Sequence, residues 1–209
     1  MAIILLIRHG DNDWAGHKLA GRLPGVHLNP RGREQAAWLA QTLKDAPLRA
    51  IYASPLERTL ETAAPLAEAV HLAVQPEDGL LEVDFGEWQG RELKQLRRLK
   101  LWQQLHADAA SFTFPGGESI NNVRRRAVAV VQAVEARLGE YDAAALFSHG
   151  DIIRLLLTHY LNMPLADFHR LVVDTGSITI IQTGGKLPHI LGVNLNGRVD
   201  WPRPGMLQK

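Results

Sequence analysis

The chain contains no cysteine among its 209 residues, so disulfide bonds, thiolate nucleophiles and cysteine-ligated zinc are excluded. Long hydrophobic runs are also missing. The N-terminal aliphatic run, Ala2 to Ile7, stops at Arg8 and is too short for a signal peptide or a membrane span. We therefore expect a cytoplasmic protein that has no membrane partner.

A strong excess of charge of one sign is lacking as well. The 23 Lys and Arg residues are balanced by 22 Asp and Glu residues, which gives a formal net charge of +1. This balance provides no general attraction to nucleic acid, so we expect no nucleic-acid partner. Any recognition of an anion has to come from a local cluster of side chains.

The composition is that of a globular chain, with 46% hydrophobic and 22% charged residues. Such a chain can bury a substantial core, and its length is near that of one large domain. We therefore expect a single domain over residues 1–209. The proline-rich end at Pro202-Arg203-Pro204-Gly205 predicts a loose tail over about 200–209.

Three short apolar runs each lead directly into a polar loop. Continuous apolar runs of this length are typical of buried strands in an α/β sheet. Two later segments, Ser177 to Gln182 and Ile190 to Leu195, predict further strands. The three runs with their loops are Ala2 to Ile7 before Arg8-His9-Gly10, Ala50 to Ala53 before Ser54-Pro55, and Ala143 to Phe147 before Ser148-His149-Gly150.

Helix start signals follow these runs. Asn29-Pro30 predicts a helix to about Leu43, with an N-cap residue and proline at the first helical position. Ser54-Pro55-Leu56-Glu57 predicts a second helix with a capping-box glutamate, which places Arg58 in its first turn. Pro65 in this pattern predicts a kink or a break. The other helical patterns cover Arg91 to His106, Ser119 to Leu138 and Asp151 to Leu161.

Alternating strands and helices predict an open, mostly parallel sheet with helices on both faces. Ligands of such sheets bind outside the carboxyl ends of the strands. By this rule Arg8, His9, Arg58 and His149 converge, although residues 9 and 149 are 140 positions apart.

Two arginines beside two histidines are suited to binding a phosphoryl group, whose charge is spread over several oxygens. The arginines also disfavour protonated imidazole, which leaves one histidine neutral and nucleophilic at neutral pH. The second histidine can donate a hydrogen bond to the developing charge. Phosphoryl transfer to nitrogen then needs no metal, because arginine and histidine take the role that magnesium has elsewhere.

A phosphomonoester also needs an acid that protonates its leaving oxygen. Glu82 is the best candidate, because it stands among apolar neighbours and burial raises the pKa of a carboxyl group. The sequence offers four rivals nearby, and spacing alone does not select among them: Glu77, Asp78, Asp84 and Glu87.

Simpler interpretations stay open at this point. A single histidine after a strand is usually a loop residue, and Arg58 could pair with Glu57 or Glu61 on its own helix. The run of residues 124–126, Arg-Arg-Arg, is expected to be mostly solvated. Metal-dependent hydrolysis is the main rival, since aspartates follow His9 and His149 by two positions. However, Arg8 would repel a cation and no HExxH motif is present, so we predict no metal site.

Five segments together resemble the histidine phosphatase superfamily, whose founding members are the cofactor-dependent phosphoglycerate mutases. They occur in family order and span nearly the whole chain. The resemblance implies a three-layer α/β/α sandwich with a mostly parallel central sheet, and no cofactor. The segments are LIRHG at 6–10, ASPLERTLET at 53–62, LLEVDFGEWQG at 80–90, FPGGES at 114–119 and SHGDIIR at 148–154.

The resemblance also implies a role for each site residue. It makes His9 the phosphoacceptor and Glu82 the proton donor, so it selects Glu82 from its rivals. Arg8 and Arg58 are implied to be phosphate ligands, and His149 the second histidine of the phosphate pocket.

The chain departs from the family pattern after the Arg-His-Gly motif. Ala15 stands where an asparagine often contacts phosphate, so this contact is missing or comes from another group such as Asn12. The segment from Gly21 to Asn29 would border the pocket, which makes Arg22 a candidate substrate contact.

We expect hydrolysis of a small phosphorylated metabolite, because the segment after Glu82 is similar to the phosphatase branch. Two alternatives stay open: a phosphoglycerate-type mutase, and a phospholigand-binding module without turnover. The sequence does not identify the substrate, and either a monomer or a homodimer fits it.

Overall fold

A six-stranded sheet with the order β3-β2-β4-β1-β5-β6 forms the centre of the computed structural model, which describes residues 1–197. Strands β1 to β4 pair in parallel, and β5 and β6 add an antiparallel edge. The predicted mostly parallel sheet is therefore confirmed. The strands are β1 (Ala2–Arg8), β2 (Leu48–Ala53), β3 (Val74–Pro76), β4 (Ala143–Ser148), β5 (Ile178–Thr183) and β6 (His189–Leu195).

Six α-helices accompany the sheet over the described residues. Asn29 caps the first as predicted, because its side chain accepts a hydrogen bond from the Gly32 amide. The single helix predicted over 91–106 divides into two, with a break at 97–99. The helices are α1 (Pro30–Leu43), α2 (Glu57–Val70), α3 (Leu93–Leu96), α4 (Lys100–Ala107), α5 (Ile120–Glu135) and α6 (Gly150–Tyr160).

The start of α2 differs from the sequence prediction. Leu56 occupies the N-cap position without a side-chain cap, and Ser54 Oγ instead contacts His149 Nε2 at 2.8 Å. The Glu57 carboxylate accepts a hydrogen bond from the Gly25 amide at 2.9 Å. The predicted capping box is therefore wrong, because long-range partners occupy both side chains. The helix continues through Pro65, so this proline does not break it.

Helices cover both faces of the sheet. On β1, Ile4 and Leu6 face the core beneath α5 and α6, whereas Ile3, Leu5 and Ile7 face the core beneath α1 and α2. This alternation gives the three-layer α/β/α sandwich. No helix within residues 1–197 is long and apolar enough to cross a membrane. The tail predicted over about 200–209 lies outside the described residues.

The register of the central strands determines where the two histidines lie. Strands β1 and β4 are parallel neighbours, and Arg8 pairs with Ser148. The amide of His9 donates a hydrogen bond to the Ser148 carbonyl at 3.0 Å. Both histidines therefore leave the sheet side by side at its carboxyl edge, as the sequence predicts.

Candidate active site

A cavity of about 380 Å³ opens at this carboxyl edge. Arg8, His9, Asn12, Arg58 and Glu82 are among the residues that line it. The ring of the buried His149 lies 5.3 Å from the ring of His9, measured between centroids. The structure thus brings together most of the residues that the sequence selects, with Arg22 as an exception, and the details of their contacts decide what each can do.

The contacts of His9 define which ring nitrogen can act as a nucleophile. Nδ1 lies 2.7 Å from the Gly10 carbonyl oxygen, and because this oxygen only accepts, Nδ1 carries the hydrogen. In the neutral ring Nε2 therefore carries the lone pair. Gly10 is required at this point, since a Cβ there would lie 2.6 Å from the carbonyl oxygen of Gly32. The loop that holds His9 consequently packs tightly on the start of α1.

Burial keeps the His9 ring neutral. It lowers the pKa of this histidine well below 6.5, and the positive charges of Arg8 and Arg58 lower it further. The two arginines, which the sequence predicts as the cause of this shift, contribute less to it than burial does. A neutral imidazole whose Nε2 lone pair is available at neutral pH is a competent nucleophile.

His149 is oriented by Arg58 and Ser54. Nη2 of Arg58 lies 3.2 Å from His149 Nδ1, and because guanidinium only donates, Nδ1 accepts. Nε2 of the neutral ring then donates to Ser54 Oγ. Burial is the main cause that lowers the pKa of His149 well below 6.5. In this arrangement His149 holds Arg58 in position, and both of its ring nitrogens are engaged.

Arg58 is buried in the site and does not pair with its helix neighbours. Its Nη2 donates to the Gly21 carbonyl at 2.8 Å. Glu61 accepts from the Leu28 amide, and Glu57 accepts from that of Gly25. The simpler interpretation of Arg58 as a helix ion pair is therefore wrong.

The two arginines retain donors that the protein does not satisfy. Among the described residues, Arg8 Nε and both Nε and Nη1 of Arg58 are buried without a hydrogen-bond partner. Arg8 Nη1 is held by the Val173 carbonyl at 2.7 Å. Buried donors of this kind are costly unless an acceptor binds them. Three N–H groups at one cavity fit the oxygens of a phosphoryl group.

Glu82 is the one carboxylate of the five sequence candidates that lines the cavity. Glu77 Oε1 instead accepts from the Gly79 amide, and Asp84 Oδ1 accepts from the Gly86 amide. The pKa of Glu82 is raised to about 7, with burial as the largest cause and the charge of Asp151 as the second, whereas a hydrogen bond from the Val83 amide opposes the shift. A carboxyl group with this pKa can donate and accept a proton near neutral pH.

The backbone of Glu82 is held by two arginines that the sequence analysis does not assign to this role. Its carbonyl oxygen accepts from Arg22 Nε at 2.9 Å and from Arg126 Nη2 at 3.0 Å. Glu118 joins the two arginines, since its Oε2 lies 2.7 Å from Arg22 Nη2 and 3.0 Å from Arg126 Nη2. We call Arg22, Glu118 and Arg126 the acid clamp.

The acid clamp revises two expectations. Arg22 was a candidate substrate contact, but its guanidinium lies on Glu82 and Glu118, and it is not among the residues lining the cavity. In the run 124–126, Arg124 and Arg125 bond to asparagines on their own helix, whereas Arg126 turns inward. Arg126 is therefore the exception in a run that is expected to be mostly solvated.

Asn12 lies in the loop that departs from the family pattern. Its side chain is buried and lines the cavity, as Ala15 does. Asn12 Oδ1 accepts from the amides of Trp14 and Ala15, both at 3.0 Å. The amide nitrogen of this side chain is thus the group that remains for a bound anion.

The two aspartates that raised the possibility of a metal site are engaged with other side chains. Asp11 Oδ2 accepts from Asn29 Nδ2 at 3.2 Å, and Asp151 forms an ion pair with Arg154 at 2.8 Å. Within residues 1–197, no group of three or more His, Asp or Glu side chains is arranged to hold a metal ion.

Comparisons with known proteins agree with this geometry. The model of the histidine phosphatase superfamily (branch 1) matches residues 4–196. The chain is 30% identical to phosphoserine phosphatase 1 of Hydrogenobacter thermophilus over 93% of both chains. It is 28% identical to a probable phosphoglycerate mutase of Proteus mirabilis over 94% of this chain and 98% of the other. The native structure of a mycobacterial glucosyl-3-phosphoglycerate phosphatase superposes with a TM-score of 0.83 and 25% identity, covering 93% of this chain and 99% of that one.

Proposed function

Because the chain belongs to the histidine phosphatase superfamily, we propose that it hydrolyses small phosphomonoesters through a phosphohistidine formed on Nε2 of His9. One observation carries this proposal. A neutral, buried histidine stands at a cavity beside three arginine N–H groups that have no partner within the described residues. This combination supplies both a nucleophile and a binding site for the phosphoryl oxygens.

In the first step, Arg8 and Arg58 bind the phosphoryl oxygens and Nε2 of His9 attacks phosphorus. The P–N bond forms while the ester P–O bond breaks, and Glu82 gives its proton to the leaving oxygen. The pKa of Glu82, about 7, keeps a large fraction of this carboxyl group protonated at neutral pH. The alcohol then leaves the cavity.

In the second step, water attacks the phosphohistidine. Glu82, now ionised, takes a proton from this water, the P–N bond breaks and inorganic phosphate is released. His149 acts through Arg58, since its Nδ1 accepts from Nη2 of that arginine. Asn12 can add a donor through its amide nitrogen. No step needs a metal ion, because the arginines balance the charge of the phosphoryl group.

The relatives support small phosphorylated metabolites as the substrate class, since they include a phosphoserine phosphatase and a glucosyl-3-phosphoglycerate phosphatase. A mutase is a lesser possibility, supported by the relative from Proteus mirabilis. The two activities share the phosphohistidine and differ in its acceptor, which is water in a phosphatase and a second hydroxyl group in a mutase.

Release of inorganic phosphate in the presence of a chelator tests the proposed function. We expect the protein to hydrolyse several members of a panel of phosphomonoesters, with rates unchanged by EDTA because no residue role requires a metal. Rates that collapse in EDTA and return with a divalent cation would contradict the metal-independent mechanism. Transfer of phosphate between positions of a phosphoglycerate, promoted by a bisphosphate and faster than hydrolysis, would favour the mutase.

The acid clamp predicts an effect for Glu118→Gln. This change removes the negative charge between Arg22 and Arg126. The two arginines then hold the Glu82 carbonyl less firmly, and their positive charges are no longer balanced. We expect kcat for an alkyl phosphate to fall about 10-fold to 10²-fold, because small misplacements of catalytic groups are costly. The pKa of Glu82 should also fall, which moves the loss of activity at high pH toward lower pH.

The matched control for this variant is Arg125→Gln. Arg125 lies on the same helix as Arg126 but bonds to Asn122 of that helix. A Glu118→Gln variant with the same kcat and the same pH profile as this control would show that the acid clamp does not position Glu82.

A further inference from the structure

The cavity is larger than a phosphoryl pocket requires. Its volume of about 380 Å³ falls within the range of about 300–1,000 Å³ that is usual for ligand pockets. The proposed phosphate-binding residues form only part of its lining, and a second group of side chains lines it as well. We call this second part the outer cavity, formed by Lys18, Leu93, Arg97, Trp102, Leu105, His106, Phe114, Phe168 and His169.

One wall of the outer cavity is apolar and pre-formed. Helix α4 presents Trp102 and Leu105 to it, and the neighbouring loops add Phe114 and Phe168. The ring of Trp102 stacks on the buried Trp88, with centroids 5.9 Å apart and planes inclined by 22°. This packing fixes the indole before any ligand binds. A rigid aromatic wall favours a ring or another flat apolar body.

The rim of the outer cavity is cationic. Five Lys and Arg side chains line the whole cavity against the two carboxylates of Glu82 and Asp151, although the net charge of the chain is only +1. Asp151 already pairs with Arg154. Within residues 1–197, neither Lys18 nor Arg97 has a carboxylate partner within 4.0 Å.

Two histidines, His106 and His169, also line the outer cavity. The rings of His106 and His169 meet edge to face with centroids 4.9 Å apart. Burial is the main cause that lowers the pKa of His106, and the charges of His169 and Arg97 add to it. The charge of Arg97 therefore acts on the ring of His106. The cluster offers N–H donors and a permanent positive charge at the end of an apolar wall.

We propose that the outer cavity binds a second anionic group of the substrate, a carboxylate or a further phosphate, joined to the scissile phosphate by a ring or other apolar body. The proposal rests on the proposed function, because it requires that the scissile phosphate occupies the site of Arg8 and Arg58. Arg97 is the main anion ligand, since it has no acidic partner within the described residues. The apolar wall selects the body between the two anionic groups.

Three phosphates of primary alcohols test this specificity: 4-carboxybenzyl phosphate, 4-carbamoylbenzyl phosphate and O-phosphoserine. The first two share shape and leaving group and differ in the charge at the far end. We expect the carboxylate to raise kcat/KM about 10-fold over the carboxamide, as one well-placed ion pair can. We also expect 4-carboxybenzyl phosphate to exceed O-phosphoserine, which lacks an apolar body.

The variant Arg97→Gln assigns the preference to the rim. In this variant the ratio of kcat/KM for the carboxylate to kcat/KM for the carboxamide should fall below about 3-fold. The control is Arg98→Gln, because Arg98 is exposed and is not among the residues that line the cavity. It should keep the full advantage.

The possible results separate this proposal from the proposed function. Equal kcat/KM for carboxylate and carboxamide in the unaltered protein would overturn the anion site, and faster hydrolysis of O-phosphoserine would overturn the role of the apolar wall. An advantage that survives Arg97→Gln would overturn the assignment to Arg97. A failure of the proposed function would look different, because none of the three esters, nor any other phosphomonoester, would release phosphate.

Discussion

Replacing His9 by alanine should abolish hydrolysis of every phosphomonoester that the protein accepts, with kcat/KM lowered by about 10⁴-fold or more. The change removes the proposed nucleophile for the P–N bond, and Arg8 and Arg58 stay in place. Rates of phosphate release at saturating and limiting substrate measure the loss. Binding of inorganic phosphate, measured by calorimetry, should persist because Arg8 and Arg58 provide most of it.

The control for His9→Ala is His159→Ala, an exposed histidine on α6 far along the helix from the cavity. Circular dichroism and thermal unfolding should show that both variants are folded. A folded His9→Ala variant with phosphatase activity close to that of the control would refute the role of His9.

Replacing Glu82 by glutamine should lower kcat for alkyl phosphates about 10²-fold to 10⁴-fold, which is the usual contribution of a general acid. An alkoxide is a poor leaving group and needs the proton that Glu82 supplies. The rate of the first step, in which the phosphohistidine forms, should fall much less for p-nitrophenyl phosphate, because p-nitrophenolate departs without protonation. Rapid-mixing release of p-nitrophenol measures that step separately from hydrolysis of the phosphohistidine.

The same variant should change the pH profile. Glu82 must be protonated to act as an acid, and its pKa is raised to about 7, so kcat/KM of the unaltered protein should fall as pH rises through about 7. We call this fall in kcat/KM the alkaline limb of the pH profile. The pKa of His9 lies well below 6.5, so its lone pair stays available at the pH values just below this limb. Glu82→Gln should lose this limb, while the ionisation of the substrate affects both proteins equally. An unchanged limb in the variant would show that another group donates the proton.

The sequence predicts the centre of this site because simple rules connect it to the fold. Apolar runs that end at Arg8-His9-Gly10 and Ser148-His149-Gly150 indicate buried strands, and parallel strands present their carboxyl ends at one edge. The observed pairing of Arg8 with Ser148 is the simplest arrangement that these rules allow. The family resemblance then selects Glu82, and the cavity lining agrees with that choice.

The contacts that hold the site residues in position are not predictable from the sequence, because they join positions that are far apart in the chain. Arg22 reaches Glu118 across 96 positions, and Ser54 reaches His149 across 95. Ser54 and Glu57 also carry a local signal for a capping box, and that signal loses to the long-range contacts of both side chains. Arg126 belongs to a run of three consecutive arginines, which point in different directions on a helix, and most of them are expected to be solvated. Its hydrogen bonds to the carbonyl oxygens of Gly79 and Glu82 distinguish it from its two neighbours, and they depend on how α5 packs on the loop that carries these residues.

The most direct test of the central claim is to trap the phosphohistidine. The protein is mixed rapidly with a phosphate ester of p-nitrophenol, quenched in alkali, where phosphohistidine survives, and mapped by mass spectrometry. Glu82→Gln provides a second sample, in which slower hydrolysis should let the intermediate accumulate. We predict one phosphoryl group per chain on the peptide that contains His9, absent from His9→Ala. Turnover with the phosphoryl group on another residue, or with no labelled protein in either sample, would contradict the mechanism.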